Sequence, residues 1–572
     1  MSKPWPAITL AQAHAALTAP GAPFEMEEVD IRGVTTRVWK NVPPTLRHVF
    51  QIGRGHGDKT FLVYENDRAS FEGFARAALA IAKELQQKGV RKGDRVAIAM
   101  RNLPEWVAAF FGVVLTGAIV TPLNAWWTET ELVYGLNDSG AKALIADPER
   151  LDRIAGRRGD LPELEQVYVS RWSGAPPSGV IALGSVTGPV NAWSELPPGE
   201  LPDVEMAPDD DATLFYTSGT TGAAKGVLGT HRGITSTIWA QLFSEVRTYL
   251  RRGETPPVRG ADSPQLSALL SVPLFHTTGC KASMVPALYI GAKLVFTRKW
   301  DPEEAMKLIE RERVTSAGGV PTIALQLLVH PARPKYDLSS LTTMGYGGAP
   351  APTDLVGEIR RVLPTCLAAC GWGMTETSAT FTNHRGEDYA NRPDSAGPAV
   401  PVCEMKILGE DGAELPVGEA GELWAKGPNV AKEYWRQPQA TAATFIDGWL
   451  RTGDLARVDE EGFLYIVGRA KDMLIRGGEN ILCAEVERVL MEHPAVMDAA
   501  VVPIAHPTLG EEPGAIVALH AGQAVSEADL KAFVRERLAG FKVPVRIKFH
   551  DDVLPRNPAG KLQKRELAKT FA

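Results

Sequence analysis

The sequence predicts an α/β fold: a large N-terminal domain of stacked, mostly parallel sheets with helices, followed by a small mobile α+β C-terminal domain. Three observations predict it. The chain has 572 residues, more than a single hydrophobic core organises. Helical and strand patterns alternate along most of it, as they do where helices cover parallel sheets. A Gly-rich stretch, "GRAKDMLIRGGENI", then precedes about a hundred residues with a different pattern.

The elements follow in chain order. "SFEGFARAALAIAKELQQKGV" has apolar residues at helical spacing and Gly89 where a helix stops. "DRVAIAM", "LTGAIVTPLN" and "AKALIAD" are short apolar runs that read as buried strands. "WVAAFFGVVLTGAIV", Trp106 to Val120, is the most apolar stretch. It is shorter than the ~18 residues a membrane span needs, so it reads as a buried core helix. From Gly156 to Asp211, "WSGAPPSG" and "SELPPGELPD" read as a surface excursion. "ATLFYT" is a strand that runs into a glycine-rich loop. In the last hundred residues "EVERVLMEHPAV", "DAAVVPIA", "GAIVALH" and "EADLKAFVRERLAG" give a βαββα-like order. The boundary is placed after residue 468, giving domains 1–468 and 469–572 with a hinge near Lys471.

Composition excludes several classes. Hydrophobic residues are 44% and charged residues 23%, with a net charge of −7, which is ordinary for a globular protein. No clustered basic face marks a nucleic-acid binder; the basic "KLQKRELAK" near the end reads as a solvated face. Five cysteines make no disulfide framework, and Cys366 and Cys370 lack the companions of a zinc site. The N-terminus carries prolines and no sustained apolar run, so it does not read as a secretory signal. A cytoplasmic setting is expected.

The chemistry lies in the loops. "YTSGTTGAAKG", Tyr216 to Gly226, offers hydroxyls, glycines and successive backbone N–H groups to an oxyanion, with Lys225 as a nearby cation. It is not the common nucleotide loop, in which lysine directly follows glycine. "GYGGAP", Gly345 to Pro350, sits where α/β sheets bind ligands. "GWGMTET", Gly371 to Thr377, combines an aromatic ring, a hydroxyl and a carboxylate that suits magnesium. "WLRTGDLA" places Asp454 in a tight turn, and "LPRNPAGKLQK" sets Lys561 in a Pro/Gly loop.

In this order the motifs resemble the adenylate-forming superfamily, over roughly residues 45 to 567. The family's usual Pro is Ala224 here, and its frequent Tyr is Trp372; both changes keep the needed character. The resemblance implies ATP, Mg2+ and coenzyme A as cofactors. It implies that Thr217, Ser218, Gly219, Thr220, Thr221, Gly222 and Lys225 hold the phosphates. Ala349 and Pro350 would bracket adenine with Trp372, and Gly348, Gly371, Gly373 and Met374 would belong to the same cofactor site. Thr375 would meet the α-phosphate, Glu376 and Thr217 the magnesium, and Asp454 and Arg469 the ribose. Lys561 would bridge the reacting carboxylate and α-phosphate. Lys471 would be the pivot, and Gly477 and Gly478 would face the thiol path after the pivot.

His276, in "PLFHTTG", is what acyl- and aryl-CoA synthetases commonly carry where amino-acid-activating domains have Asp. An Asp would pair an ammonium better than a neutral His. The chain also ends soon after Lys561, which favours a free-standing CoA ligase. The pocket-wall residues implied by the resemblance are His276, Val320, Gly345, Gly347, Gly371 and Met374. They include no buried charge and several glycines, which points to an apolar carboxylic acid. The first reading is a medium or long fatty acid, with an aryl or arylalkanoic acid beside it. A luciferase-like oxygenase, an enzyme with a non-CoA acceptor, a nucleotide-binding homologue without activity and a ligase in peripheral contact with membranes are the alternatives. A monomer or homodimer is expected, with no transmembrane segment.

Overall fold

The computed structural model describes residues 5–217, 224–260, 262–348, 354–477, 479–557 and 560–571, with Lys471 and Asn480 described by backbone alone. Two eight-stranded sheets form the body of the large domain. In the first, Ile119–Pro122, Arg95–Ala99, Ala141–Ala146 and Gln166–Val169 run parallel. Asp211–Thr217 joins them through Thr213 and Val120, then turns back antiparallel into Lys225–Thr230. In the second, Ser267–Leu270, Lys293–Phe296, Ser316–Gly319, Thr343–Gly347 and Leu367–Gly371 are parallel. The strand ends that carry "GYGGAP" and "GWGMTET" are therefore neighbours, with Gly347 paired to Gly371.

Packing explains the apolar stretch. The helix Pro104–Leu115 has every residue buried and lies in the main core with the helix Phe71–Gln87. The expected helix ends at Leu115, and the same run continues as the strand Ile119–Pro122. Phe71–Gln87 stops just before Gly89, as expected, and starts after Ser70, whose side chain accepts from Gly73 N. No helix among the described residues is long and apolar enough to cross a membrane.

Four expectations need correction. A six-stranded antiparallel sheet, including Trp449–Val458 and Phe463–Arg469, completes the large domain and was not anticipated. Trp449–Val458 alternates buried with less buried residues and carries Arg451, Asp454 and Arg457, so it lacks the unbroken apolar run of a buried parallel strand. Asp454 lies within one of them rather than in a tight turn. The segment from Gly156 to Asp211 is no mere surface excursion: it supplies the strand Gln166–Val169, and Tyr168 and Trp193 are buried in the main core. "KLQKRELAK" is only partly solvated, because the helix Lys564–Ala568 packs Leu567 against Val502 and Ile516.

The small domain is a five-stranded sheet with the helices Cys483–Met491 and Glu527–Arg535 on it. It opens with a hairpin, Met473–Arg476 paired to Glu479–Leu482, and its core joins Leu474, Val486, Leu490, Val501 and Val517.

Candidate active site

The hairpin between Asp211–Thr217 and Lys225–Thr230 carries the glycine-rich loop. Residues Ser218, Gly219, Thr220, Thr221 and Gly222 lie outside the described residues, as do Ala349, Pro350 and Gly478. The loop's flanks are fixed. Thr217 and Lys225 are paired across the hairpin, and the Tyr134 hydroxyl donates to the Ala224 carbonyl at 2.9 Å. The Lys225 ammonium sits 4.8 Å from the centre of the Tyr434 ring.

Beside it, the strand Leu367–Gly371 runs out through Trp372 into the short helical turn Thr375–Thr377. Glu376 is buried there, and its Oε1 accepts from the Tyr434 hydroxyl at 2.7 Å. The Trp372 indole N–H donates to Asp454 Oδ2 at 2.8 Å. The other Asp454 oxygen takes the Nε–H of Arg469, also at 2.8 Å. Asp454 and Arg469 are cross-strand partners, which is why residues fifteen apart in sequence meet. Half-buried Trp372 packs its ring edge-to-face on Phe381, and Met374 joins the same apolar cluster.

Not all the wall glycines leave room. A side chain at Gly371 would strike the Thr382 carbonyl at 2.5 Å, and one at Gly347 would crowd the Gly371 carbonyl at 3.0 Å. Those two serve close backbone packing. Gly345 differs, since the nearest atom to an added Cβ there is Ala369 Cβ at 4.0 Å. Gly348 has φ +77°, a left-handed turn that suits glycine. Gly477 also has positive φ and lies at the hairpin of the small domain.

The small domain docks over this cleft. A Cβ at Gly560 would meet Val320 Cγ1 at 2.6 Å, so the Lys561 loop presses directly on the large domain. Burial draws the Lys561 ammonium below the ordinary lysine value, and Arg469 pushes the same way; Asp454, Glu376 and Asp472 act against them. Lys561 thus shares one electrostatic neighbourhood with the metal and ribose candidates. His276 precedes the short helix Thr277–Gly279 without a side-chain capping bond to it, and its pKa is lowered to about 4 by burial and then by Lys561. A neutral imidazole follows at physiological pH. A cavity of about 450 Å³ runs between the domains, lined by Thr217, His276, Trp127, Tyr216, Arg556 and Gln563 among others, within the size range of ligand sites.

The donor set fits magnesium bound with a nucleotide. Among the described residues no group of three or more His, Cys, Asp or Glu stands ready for a metal. Magnesium commonly takes one or two carboxylates, with waters and substrate phosphates completing its shell, and Glu376 is such a carboxylate. Sequence reasoning missed Tyr434, Trp127 and Arg556. Tyr434 and Trp127 belong to no motif, and Arg556 lies within "LPRNPAGKLQK" without having been singled out; only the fold brings the three to the cleft.

Comparison with known proteins accords with this geometry. The family model for AMP-binding enzyme matches residues 49–435, and that for AMP-binding enzyme C-terminal domain matches residues 485–561. Feruloyl-CoA synthase from Amycolatopsis sp is 36% identical over 498 residues, covering 87% of this chain and 93% of that protein. Long-chain-fatty-acid–CoA ligase from Bacillus subtilis (strain 168) is 33% identical over 534 residues, covering 89% and 91%. The crystal structure of anthranilate CoA ligase AuaEII in complex with anthranoyl-AMP superposes with a TM-score of 0.80 at 28% identity, covering 93% of this chain and 97% of that one.

Proposed function

This chain belongs to the AMP-binding enzyme family, and we propose that it joins a ring-bearing apolar acid, aryl or arylalkanoic, to coenzyme A through an acyl-adenylate. It is an acid–thiol ligase of the AMP-forming kind, using ATP, Mg2+ and coenzyme A. The observation that carries the reading is the convergence of Lys561, Glu376 and the Asp454–Arg469 pair on one cleft.

The chemistry needs that convergence. The substrate carboxylate must approach the α-phosphate, and both are anions. At ~4 Å and an effective dielectric near 20, one such repulsion costs about 4 kcal/mol. Lys561 offsets it where the new bond forms. Magnesium, when bound beside Glu376, supplies further charge neutralisation on the phosphates. Asp454 accepts ribose hydroxyls, Trp372 offers adenine a flat face, and Lys225 follows the departing pyrophosphate. The docked small domain keeps water from the mixed anhydride. Movement about Lys471 then withdraws Lys561 and opens a path for the thiol, so one domain serves both half-reactions.

Feruloyl-CoA synthase and the anthranilate ligase support the ring by what their names say they act on, and the open face at Gly345 gives it space. The long-chain-fatty-acid ligase relative favours a second reading, a medium or long fatty acid. Cofactor supply suits a cytoplasmic site of action. The test is AMP and pyrophosphate release over a panel of cinnamic, benzoic, fatty and amino acids, with and without coenzyme A. CoA-dependent turnover with the ring acids, well above the fatty acids, is expected. A preference for fatty acids overturns the ring, and light emission or oxygen uptake would mark an oxygenase instead.

A further inference from the structure

Tyr434 touches both the phosphate-loop lysine and the metal-side carboxylate, and no sequence motif singled it out. It lies in the two-residue edge strand Glu433–Tyr434, paired to Lys225–Thr230 through Val227. The segment is stitched in on both sides. Lys432 N donates to the Leu228 carbonyl and Trp435 N to the Gly226 carbonyl, each at 2.8 Å. Ala431 N donates to the Glu376 carbonyl at 2.8 Å, and the Asn429 side chain donates to the Thr377 and Thr380 carbonyls. The backbone around Glu376 and the backbone after the phosphate loop are therefore tied to one short strand. At its end the buried Tyr434 side chain reaches both functional groups. Its hydroxyl donates to Glu376 Oε1 at 2.7 Å, and its ring face lies 4.8 Å below the Lys225 ammonium.

We propose that Tyr434 is a positioning residue: its hydroxyl aims the Glu376 carboxylate at the magnesium of MgATP, while its ring steadies Lys225 for the phosphates. The inference rests on the reading that Glu376 and Lys225 meet MgATP. A hydroxyl partner of a metal-binding carboxylate fixes its orientation, and losing such a partner typically weakens the metal 10–100-fold. A cation over an aromatic face is held more weakly. The two contacts are separable, because Tyr434→Phe removes only the first and Tyr434→Leu removes both.

The experiment is calorimetric binding, to the full chain, of an ATP analogue with a non-cleavable α,β bridge, with and without magnesium. In the parent protein magnesium should tighten binding. Tyr434→Phe should keep the magnesium-free affinity within about twofold and lose roughly tenfold of the magnesium gain. Tyr434→Leu should also weaken magnesium-free binding, by about threefold or more. Glu376→Gln, which keeps Tyr434, shows what loss of the carboxylate looks like. If Glu376→Gln loses the magnesium gain and Tyr434→Phe keeps it, the positioning role is overturned and the site reading stands. If Glu376→Gln keeps the gain, the metal reading of Glu376 falls, and this inference with it. An equal loss of magnesium-free and magnesium-bound affinity in Tyr434→Phe, with a lowered melting temperature, marks a purely structural tyrosine and also overturns the proposal.

Discussion

The nucleotide side of the cleft and the Lys561 loop are held in opposite ways. On the nucleotide side, each group is fixed by bonds within the large-domain sheets. Asp454 N donates to Thr452 Oγ1 at 3.0 Å, and both carboxylate oxygens of Asp454 are taken by Trp372 and Arg469. The Lys561 loop is tied chiefly to its own domain. Lys561 N donates to Asn557 Oδ1, Asn557 N donates to the Lys561 carbonyl, and Arg556 pairs with Asp498. Against the large domain it sets the Gly560 backbone on Val320. Arg469 is the last residue of its strand before the turn Ala470–Asp472. The proposed pivot just beyond it would move Lys561 and leave the Asp454–Arg469 pair in place. On the proposed mechanism the difference is a division of labour: groups needed throughout would be built into sheets, and the group needed for one half-reaction would ride on a detachable piece.

The largest effect should follow from breaking the detachable side. Lys561→Ala should lower adenylate formation by about 10²–10³, the scale of removing one aimed transition-state charge. Conversion of a supplied acyl-adenylate to the thioester should stay near the parent rate, as measured by single-turnover assays of each half. Equal loss of both halves would erase the contrast. Breaking the fixed side should look different. Asp454→Asn should raise the ATP KM roughly tenfold, the scale of one hydrogen bond to a charged group, because the Arg469 guanidinium loses its anion. The acyl-adenylate should also bind more weakly, so both half-reactions suffer.

The smallest effect sharpens the contact between the two sides. His276 is held neutral, its pKa lowered to about 4 by burial and by Lys561. An unfolded histidine titrates near 6.5. Its contribution to stability is therefore present above pH 6.5 and is lost as pH falls from 6.5 toward 4, where the unfolded chain binds the extra proton. Denaturant unfolding across that window should show a slope that His276→Gln reduces. In Lys561→Ala the His276 pKa, read by NMR, should rise.

Much of this was legible in the sequence. The strand before the phosphate loop and the strands that end in "GYGG" and "GWGMTET" fall where pattern places them, because glycine-rich loops after apolar strands are local signals, and a small C-terminal domain follows the large one as expected. What stayed hidden depends on packing between distant segments. Asp454 read as a turn residue because "TG" suggests one, yet the half of its strand from Asp454 to Val458 pairs with Phe463–Arg469. Tyr434 has meaning only beside Lys225 and Glu376, both far from it in sequence. Lys281, five residues after His276, also escaped notice. The wide helical turn Cys280–Met284 departs from the 3.6-residue period, and it buries the Lys281 ammonium 4.8 Å from the Phe215 ring centre. Burial lowers that pKa to about 8.

The central claim is that the docked Lys561 loop is the adenylate-forming arrangement and must leave before the thiol reacts. A Cβ at Gly560 would lie 3.1 Å from Val320 Cβ, just short of the ~3.5–4.5 Å span of disulfides, so a shift of a few tenths of an ångström brings two cysteines there into bonding range. The measurement is both half-reactions in the oxidised Val320→Cys, Gly560→Cys double variant. The account predicts that the oxidised form releases pyrophosphate and accumulates acyl-adenylate without making thioester, and that reductant restores thioester formation. Thioester made at the parent rate by the cross-linked form would contradict it.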